Sequence, residues 1–526
     1  MAMDEDYLLS RRRIFNATFL VVLAILLSKI SGLVRDQIMT GYFGITYDTD
    51  AFTWANFIPN LFRVLFAESL IIAAFIPIYS AYLKRNQKDD LKIFVNSVVN
   101  IMALVFLIIS TIIFILSPEI GALLSKIANG QMDVYKFVVM NRIMIFSLVL
   151  MSLAGLATGI LNSHNIFTIP SLAPFVLNVI TVIFVVLLFQ HLGIYNMAIG
   201  TMVGSLMYLL VQLPQLRASP LKYRFIIDFK HKGVREIFSL MVPILLSLGA
   251  VQLNNGVDNF FALNLGGGNT TALTLSWRVA NLPLGVFSVA IVTVLYPLIS
   301  RQAAGDDIKG IKESFSLGVR EIGYMMIPAT AGLIILSYPI IKVLFERYNF
   351  NPGDTKKVAY ILIFHSLGLI FFGLLMILNR MFYAFKNVKT PLKVASFSII
   401  ANFILDWVLI KFMGVGGLAL STSLVALLNV VILVVILRKK VGNFGGRRIF
   451  VSYGKIFASA AIMSIVLYFS WKWLENFAYQ GLWPLILLLF LEIVAGVGIY
   501  IACTILFKME EVKFAVGLLK KLKKNT

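Results

Sequence analysis

The chain has 526 residues and carries 46 Lys and Arg against 25 Asp and Glu, a formal net charge of +21 at pH 7. Only 13% of its residues are charged and 59% are hydrophobic, so it holds about half the charge of a soluble domain of this length. A water-soluble fold is excluded, and the meaning of the basic excess depends on where the basic residues fall, which argues against nucleic acid as partner.

Apolar runs of about 20 residues, each enough to cross ~30 Å of hydrocarbon as a helix, occupy 14–33, 51–81, 93–117, 136–161, 168–191, 194–216, 236–262, 271–300, 315–345, 358–385, 391–413, 414–437, 455–474 and 482–507. The runs are continuous and do not alternate, which predicts helices and not a barrel. The expected fold is an all-α polytopic membrane protein with about fourteen transmembrane helices. The first run follows Arg11-Arg12-Arg13, as in a signal peptide, but continues to Leu33 with no small-residue cleavage site and is expected to be retained. With a cytoplasmic N-terminus, about 32 basic residues fall in cytoplasmic segments, about 9 on the far side and about 5 inside spans. That bias orients both termini to the cytoplasm of a bacterial inner membrane. The tail residues Lys520, Lys521, Lys523 and Lys524 suit anionic lipid heads.

Cys503 lies inside an apolar run, and His164, His191, His231 and His365 are scattered without ligand-like spacing. No Gly-x4-Gly-Lys-Ser/Thr motif occurs. Neither a metal enzyme nor a built-in ATPase is indicated.

An internal repeat runs through the chain. Asn165-Ile-Phe-Thr-Ile-Pro170 lines up with Lys386-Asn-Val-Lys-Thr-Pro391, and Met197-Ala-Ile-Gly-Thr201 with Leu418-Ala-Leu-Ser-Thr422, both at a separation of 221, while Pro77-Ile-Tyr-Ser80 echoes Pro297-Leu-Ile-Ser300 at 220. Spans one to six (1–216) and seven to twelve (217–437) therefore read as two pseudo-symmetric six-helix lobes, with spans thirteen and fourteen (438–526) added. Parallel repeats of this kind are a transporter plan built around a midplane cavity.

Ionisable residues within spans are costly, so each is a candidate for function. Lys29, Arg35, Asp36, Asp50, Arg63 and Glu68 gather in spans one and two. Either these acids and bases satisfy one another, or, with Arg278 of the second repeat, the arginines line a cationic cavity whose guanidinium forks suit phosphate oxygens. Asp258, Asn402, Asp406 and Thr422 form a second group in the C-terminal repeat, with Asn402 and Asp406 on one helix face. This hard-oxygen set suits a small cation such as sodium, a proton-titrating acid pair, or interhelical hydrogen bonding. In the first repeat Thr181 and Val185 stand at the places of Asn402 and Asp406. Arg142 and Arg380 read as paired or snorkelling residues, Gly266-Gly267-Gly268 as a turn, and the isolated Glu492 has no assigned part.

Ser28-Lys-Ile-Ser-Gly-Leu-Val-Arg-Asp36, Thr49-Asp50-Ala-Phe52, Pro59-Asn-Leu-Phe-Arg63 and Phe66-Ala-Glu68 together resemble the N-terminal signature of the MurJ (MviN) lipid II flippases, of the multidrug/oligosaccharidyl-lipid/polysaccharide exporter superfamily. The resemblance extends through Gly159-Ile-Leu-Asn162, Trp277-Arg278, Leu282-Pro283-Leu-Gly285 and Lys389-Thr-Pro391. It implies export of lipid II by alternating access, with Arg35, Arg63 and Arg278 matching essential arginines and Asp36, Asp50 and Glu68 matching important acids. It also implies a sodium site on Asp258, Asn402, Asp406 and Thr422, with a carbonyl near Leu418, and a groove for the polyprenyl tail at spans thirteen and fourteen. Lys29 stands where the family often has arginine, keeping the charge without the bidentate fork. The expected protein is a monomeric transporter working among membrane lipids on lipid II, with no nucleic acid and no cofactor other than a candidate sodium ion. The alternatives are a flippase for another polyprenyl-linked oligosaccharide, a cation-coupled drug exporter, or a membrane transferase.

Overall fold

The computed structural model describes residues 2–65, 71, 74–85, 88–216 and 223–512. Along the chain the helices are α1 (Ala2–Phe43), α2 (Tyr47–Phe62), α3 (Ile76–Lys84), α4 (Lys88–Ile115), α5 (Ser117–Ile127), α6 (Val134–Met144), α7 (Ser147–Ser163), α8 (Thr168–Leu192), α9 (Tyr195–Leu210), α10 (Leu213–Leu216) and α11 (Lys232–Asn264). They continue with α12 (Asn269–Pro283), α13 (Val289–Ala304), α14 (Ile308–Ile335), α15 (Ser337–Phe345), α16 (Pro352–Leu367), α17 (Leu369–Ala384), α18 (Lys389–Met413), α19 (Val415–Val441), α20 (Gly446–Ala478) and α21 (Leu482–Leu506). Each apolar interval read from the sequence is helical over most of its described residues, interrupted by short turns at 116, 145–146, 211–212, 336 and 368.

Among the described residues, nine helical stretches are long and apolar enough to cross a membrane, and two bent pairs raise the number to eleven. Those pairs are α14 with α15, bent by 75°, and α16 with α17, bent by 41°. The three remaining expected intervals fall on α1, on α2 with α3, and on α11. These hold the charged residues Lys29, Arg35 and Asp36, then Asp50 and Arg63, then Asp258.

Two prolines bend the ladder of helical hydrogen bonds. Past Pro59 the chain winds as a π-helical turn over 63–65, and past Pro283 as another over Leu284–Ser288. Wide turns of this kind recur at functional sites.

The chain forms two compact units, one of Met1–Gln252, Leu263–Thr271 and Arg347–Phe350, the other of Leu253–Ala262, Ala272–Glu346 and Asn351–Thr526. In the first unit α8 and α9 approach through small residues: a Cβ at Gly204 would lie 2.8 Å from the Leu177 carbonyl oxygen, and one at Gly200 3.1 Å from that of Thr181. Lipid gives helices no hydrophobic reason to associate, so such close backbone packing supplies the contact. On α8 itself Val185 is fully buried while Leu187, two positions on, is 69% exposed. The helix sorts its apolar side chains between protein core and hydrocarbon.

In the second unit α20 and α21 pack on α14. The Tyr500 hydroxyl donates to the Tyr324 carbonyl at 2.8 Å, and the Tyr453 hydroxyl to the Val319 carbonyl at 3.0 Å. Where α14 and α20 meet the segment after α21, Arg320 Nη1 donates to Glu511 Oε1 at 2.7 Å and Glu510 Oε2 at 3.2 Å. Ser452 also donates to Glu511, and Arg448 to Glu510. The last two helices are thus tied to the second unit by a polar knot, buried at Arg320, Ser452 and Glu511 and exposed at Arg448 and Glu510, as well as by apolar packing.

Candidate functional site

Arg35 lies at the polar end of α1, and its direction is fixed twice. Nε and Nη2 donate to one oxygen of Asp36, at 3.2 and 2.8 Å, and Nη1 donates to Asn178 Oδ1 on α8 at 3.1 Å. Asn178 in turn donates from Nδ2 to the Ser28 carbonyl at 3.2 Å and to Ser31 Oγ at 3.1 Å. Asn178 is a site residue that the sequence reading passed over, because that reading followed ionisable groups. Its signal is an amide inside an apolar span, eight positions after Pro170.

Arg63 sits in the π-helical turn after Pro59, with Nε and Nη2 both donating to Asn60 Oδ1 at 3.1 and 2.8 Å. Lys29 is exposed on α1, and Glu68 lies outside the described residues. Asp50 is fully buried. Its Oδ2 accepts the Gly268 N–H at 2.7 Å, and its Oδ1 accepts the N–H and hydroxyl of Thr271 at 2.8 and 2.7 Å. A carboxylate on α2 thereby caps the first turn of α12, where free N–H groups and the helix dipole favour negative charge. The glycine run makes the turn that allows this. Gly268 has φ +79°, and a Cβ there would fall 2.3 Å from the Ile45 carbonyl oxygen.

Arg278 follows two residues that dock α12 inside the second unit. Ser276 Oγ and His365 Nδ1 lie 2.9 Å apart, and the Trp277 ring meets those of His365 and Phe372 edge-on. At 3.6 residues per turn, positions 276 and 278 point to nearly opposite sides of the helix. The buried Ser276 therefore turns the partly exposed Arg278 away from His365.

The oxygen-rich group of the second unit comes together as a set. Asn402 Nδ2 donates to Asp258 Oδ1 at 2.6 Å and to Asp406 Oδ2 at 2.9 Å, and Thr422 Oγ1 donates to Asp258 Oδ2 at 2.9 Å. The Leu418 carbonyl lies 3.1 Å from Thr422 Oγ1, and Ser421 Oγ donates to the Asn402 carbonyl at 3.3 Å. Asp406 Oδ1 is buried and accepts no hydrogen bond. An orphaned carboxylate oxygen beside a second acid, a hydroxyl and a carbonyl fits a hard monovalent cation. Among the described residues no group of three or more His, Cys, Asp or Glu gathers as a transition-metal site would require.

The remaining charges inside spans have local partners. Arg142 lies over the Phe114 ring at 4.7 Å and donates to its carbonyl at 3.3 Å, and Arg380 lies over Tyr296 at 5.0 Å. Glu492 Oε1 accepts from Ser470 at 2.5 Å, while Oε2 is buried without a hydrogen bond.

Comparison with known proteins places this arrangement among transporters. The profile of the family described as "Lipid II flippase MurJ" matches residues 39–488, a stretch that includes Arg63, Asp258, Arg278, Asn402, Asp406 and Thr422. A protein of Vibrio cholerae named "Probable lipid II flippase MurJ" is 30% identical over 432 residues, 80% of this chain and 82% of that one. A solved structure, "Lipid II flippase MurJ, inward closed conformation", is 28% identical, with a TM-score of 0.77 over 93% of this chain and 98% of that one. An inward-facing multidrug resistance MATE family transporter of the MOP superfamily shares the fold at 13% identity, with a TM-score of 0.66 over 81% of this chain and 98% of that one.

Proposed function

The chain belongs to the lipid II flippase MurJ family, and on that footing we propose that it carries lipid II from the cytoplasmic to the periplasmic leaflet by alternating access. It is a multi-pass inner-membrane transporter and makes or breaks no covalent bond. The observation that carries this reading is the match to lipid II flippases along nearly the whole chain, in sequence and in fold.

The local geometry supports a role for the arginines. Asn60 fixes the direction of Arg63 through a neutral oxygen, which orients a guanidinium without adding negative charge, and Asn178 adds such an oxygen to the Asp36 carboxylate that holds Arg35. Ser276 and His365 set the angle at which α12 offers Arg278. In our reading these three arginines meet the diphosphate of the lipid head, with Lys29 at its margin. Asp36 aims Arg35, and Asp50 holds the helix that bears Arg278. Glu68 joins the same cluster on sequence grounds.

A comparison of the two repeats supports cation coupling. In the first unit an acid on α1 and an asparagine on α8, Asp36 and Asn178, share the guanidinium of Arg35. In the second unit Asp258 on α11 also pairs with an asparagine on α18, Asn402, although Asn402 stands at the place of Thr181 and not of Asn178; Asp406 adds a second acid, and Val257 precedes Asp258 where Arg35 precedes Asp36. The positive charge for this site therefore has to come from outside, as sodium or a proton. Asp258, Asp406, Thr422 and the Leu418 carbonyl would hold it, with Asn402 between the two acids. Such a charge would neutralise part of the acid pair, and the membrane potential acts on it with about 2.3 kcal/mol per charge per 100 mV. The protein works as a monomer with both termini in the cytoplasm.

The test is the accessibility of labelled lipid II head groups on the outer surface of cells depleted of this protein. Accessibility should fall on depletion and return when the chain is supplied again. Undiminished accessibility in depleted cells that carry no other flippase would overturn the reading.

A further inference from the structure

Residues 223–231, ahead of α11, form a strap along the first turns of α4. Asn100 Nδ2 donates to the carbonyls of Arg224 and Ile226 at 3.3 and 3.0 Å, and Asn96 Oδ1 accepts the Arg224 N–H at 2.9 Å. Ser97 Oγ accepts the Asp228 N–H at 3.1 Å, and the Tyr223 hydroxyl donates to Asn100 Oδ1 at 2.8 Å. Three buried polar side chains of α4 are thus occupied in holding backbone.

Extended backbone sends successive side chains to opposite faces. Phe225, Ile227 and Phe229 are 78%, 37% and 57% exposed, apolar side chains on alternate positions directed outward, while Tyr223, 67% exposed, keeps its hydroxyl on Asn100 of α4. Arg224, Lys230 and Lys232 are exposed beside them, while the Asp228 carboxylate is engaged by the N–H groups of Lys230 and His231 at 2.8 and 3.1 Å. Exposed aromatic rings mixed with exposed cations belong at the head-group layer of an anionic membrane surface.

The strap also edges a cavity of about 290 Å³ within the first unit. Val95, Val99, Leu153, Leu156, Ala157 and Leu213 line it, with Asn96 and Tyr223 on the strap side. This is close to the lower bound of small-molecule pockets, roughly 300 Å³, and an apolar cavity takes apolar guests in preference to water.

We propose that this corner of the first unit is a phospholipid site. One acyl chain of a bilayer phospholipid fills the cavity, its anionic head lies by Arg224 and Lys230, and Phe225 and Phe229 anchor the strap in the head-group layer. The site is separate from the arginine and acid clusters above and does not depend on their assignment.

The experiment uses the full chain in nanodiscs containing phosphatidylglycerol with a photoactivatable group at the end of one acyl chain, with labelled peptides mapped by mass spectrometry. Label should concentrate on 153–160 and 209–216. Ala157→Phe and, separately, Leu213→Trp fill the cavity and should each cut that labelling about tenfold, while Ile108→Phe, at a position 51% exposed on α4, leaves it unchanged. Arg224→Glu with Lys230→Glu should remove the preference for phosphatidylglycerol over phosphatidylethanolamine. Label spread evenly over the lipid-facing helices, or undiminished label in both cavity-filling variants, would overturn the proposal. So would labelling by a photoactivatable polyprenyl phosphate in preference to the phospholipid.

Discussion

Asp50 accepts hydrogen bonds from both the backbone N–H and the hydroxyl of Thr271, and the two residues are 221 positions apart, the spacing of the internal repeat. Equivalent places in the two repeats thus bind each other. The carboxylate of the first supplies the helix cap that the second cannot make for itself. Asp50→Ala should lose about 1–2 kcal/mol as a cap, with a further roughly 1–3 kcal/mol for stranding buried donors. Asp50→Asn keeps an acceptor and should lose less. Thermal denaturation of the purified protein in detergent measures both, and an unchanged midpoint in the alanine variant would remove the capping role.

Gly268→Ala tests the turn beneath that cap. Its positive φ and the 2.3 Å approach to the Ile45 carbonyl leave no room for a methyl group. Strain of roughly 1–3 kcal/mol is expected, read as a lowered midpoint in the same assay.

Arg278→Ala should abolish flipping while the protein still reaches the membrane at normal levels, since the side chain is partly exposed and its neighbours Ser276 and Trp277 do the packing. Arg278→Lys keeps the charge and loses the fork, so its activity should fall between alanine and wild type. Complementation with quantified membrane expression decides this. Normal flipping by the alanine variant would exclude Arg278 from head-group binding.

A cation at the Asp258–Asp406 pair predicts stabilisation by mass action. At a hundred times the dissociation constant the gain is ~2.7 kcal/mol, so the unfolding midpoint should rise with added sodium at constant ionic strength. Asp406→Asn should flatten that rise. A wild-type midpoint indifferent to sodium and to pH alike would leave the pair as a hydrogen-bonded contact only.

Arg320 is 5% exposed and relies on Glu511, itself 3% exposed. Removing one partner of a buried pair strands the other, at about 3–5 kcal/mol, so Glu511→Ala should be severe. Replacing both, as Arg320→Met with Glu511→Leu, should be milder than the single change. Denaturation of the two variants checks this order.

Glu510 gives a pH prediction. The hydrogen bond from Arg448, ahead of the opposing effect of burial, holds its carboxyl below the usual range. A depressed folded-state value means that the contribution to stability is present above the unfolded value and is lost as pH falls through the folded one. Limited proteolysis after Glu511 should therefore increase only in acid, and at higher pH in Arg448→Ala than in wild type.

The helical intervals and the oxygen-rich group were legible in the sequence because apolar runs and i,i+4 spacing are local signals. Asn402 and Asp406 share a helix face whatever surrounds them, and Asp258 and Thr422, grouped with them in the sequence, lie within hydrogen-bond distance of one another or of Asn402. Asp50 shows what a local reading misses. As an acid inside a span it stood out, but its partners are the N–H groups of Gly268 and Thr271 and the Thr271 hydroxyl, distant in sequence and mostly backbone, which no residue pattern announces. Asn178 and Asn100 were passed over for a related reason. Neutral amides carry no charge to attract notice, yet they hold Arg35 in one case and the Tyr223–His231 strap in the other. His365, set aside for want of ligand spacing, lies beside Ser276 and so bears on the angle of Arg278.

The wide turn at Leu284–Ser288 admits one residue more than an ordinary helix would. Every position beyond it is consequently rotated by about 100° from where a regular winding would have put it. The stretch ahead can keep its buried stripe, Ala272, Ser276 and Ala280, on one side, while the stretch beyond leaves Val289 and Val294 exposed on another. A single rod thereby serves two surroundings whose boundaries do not line up.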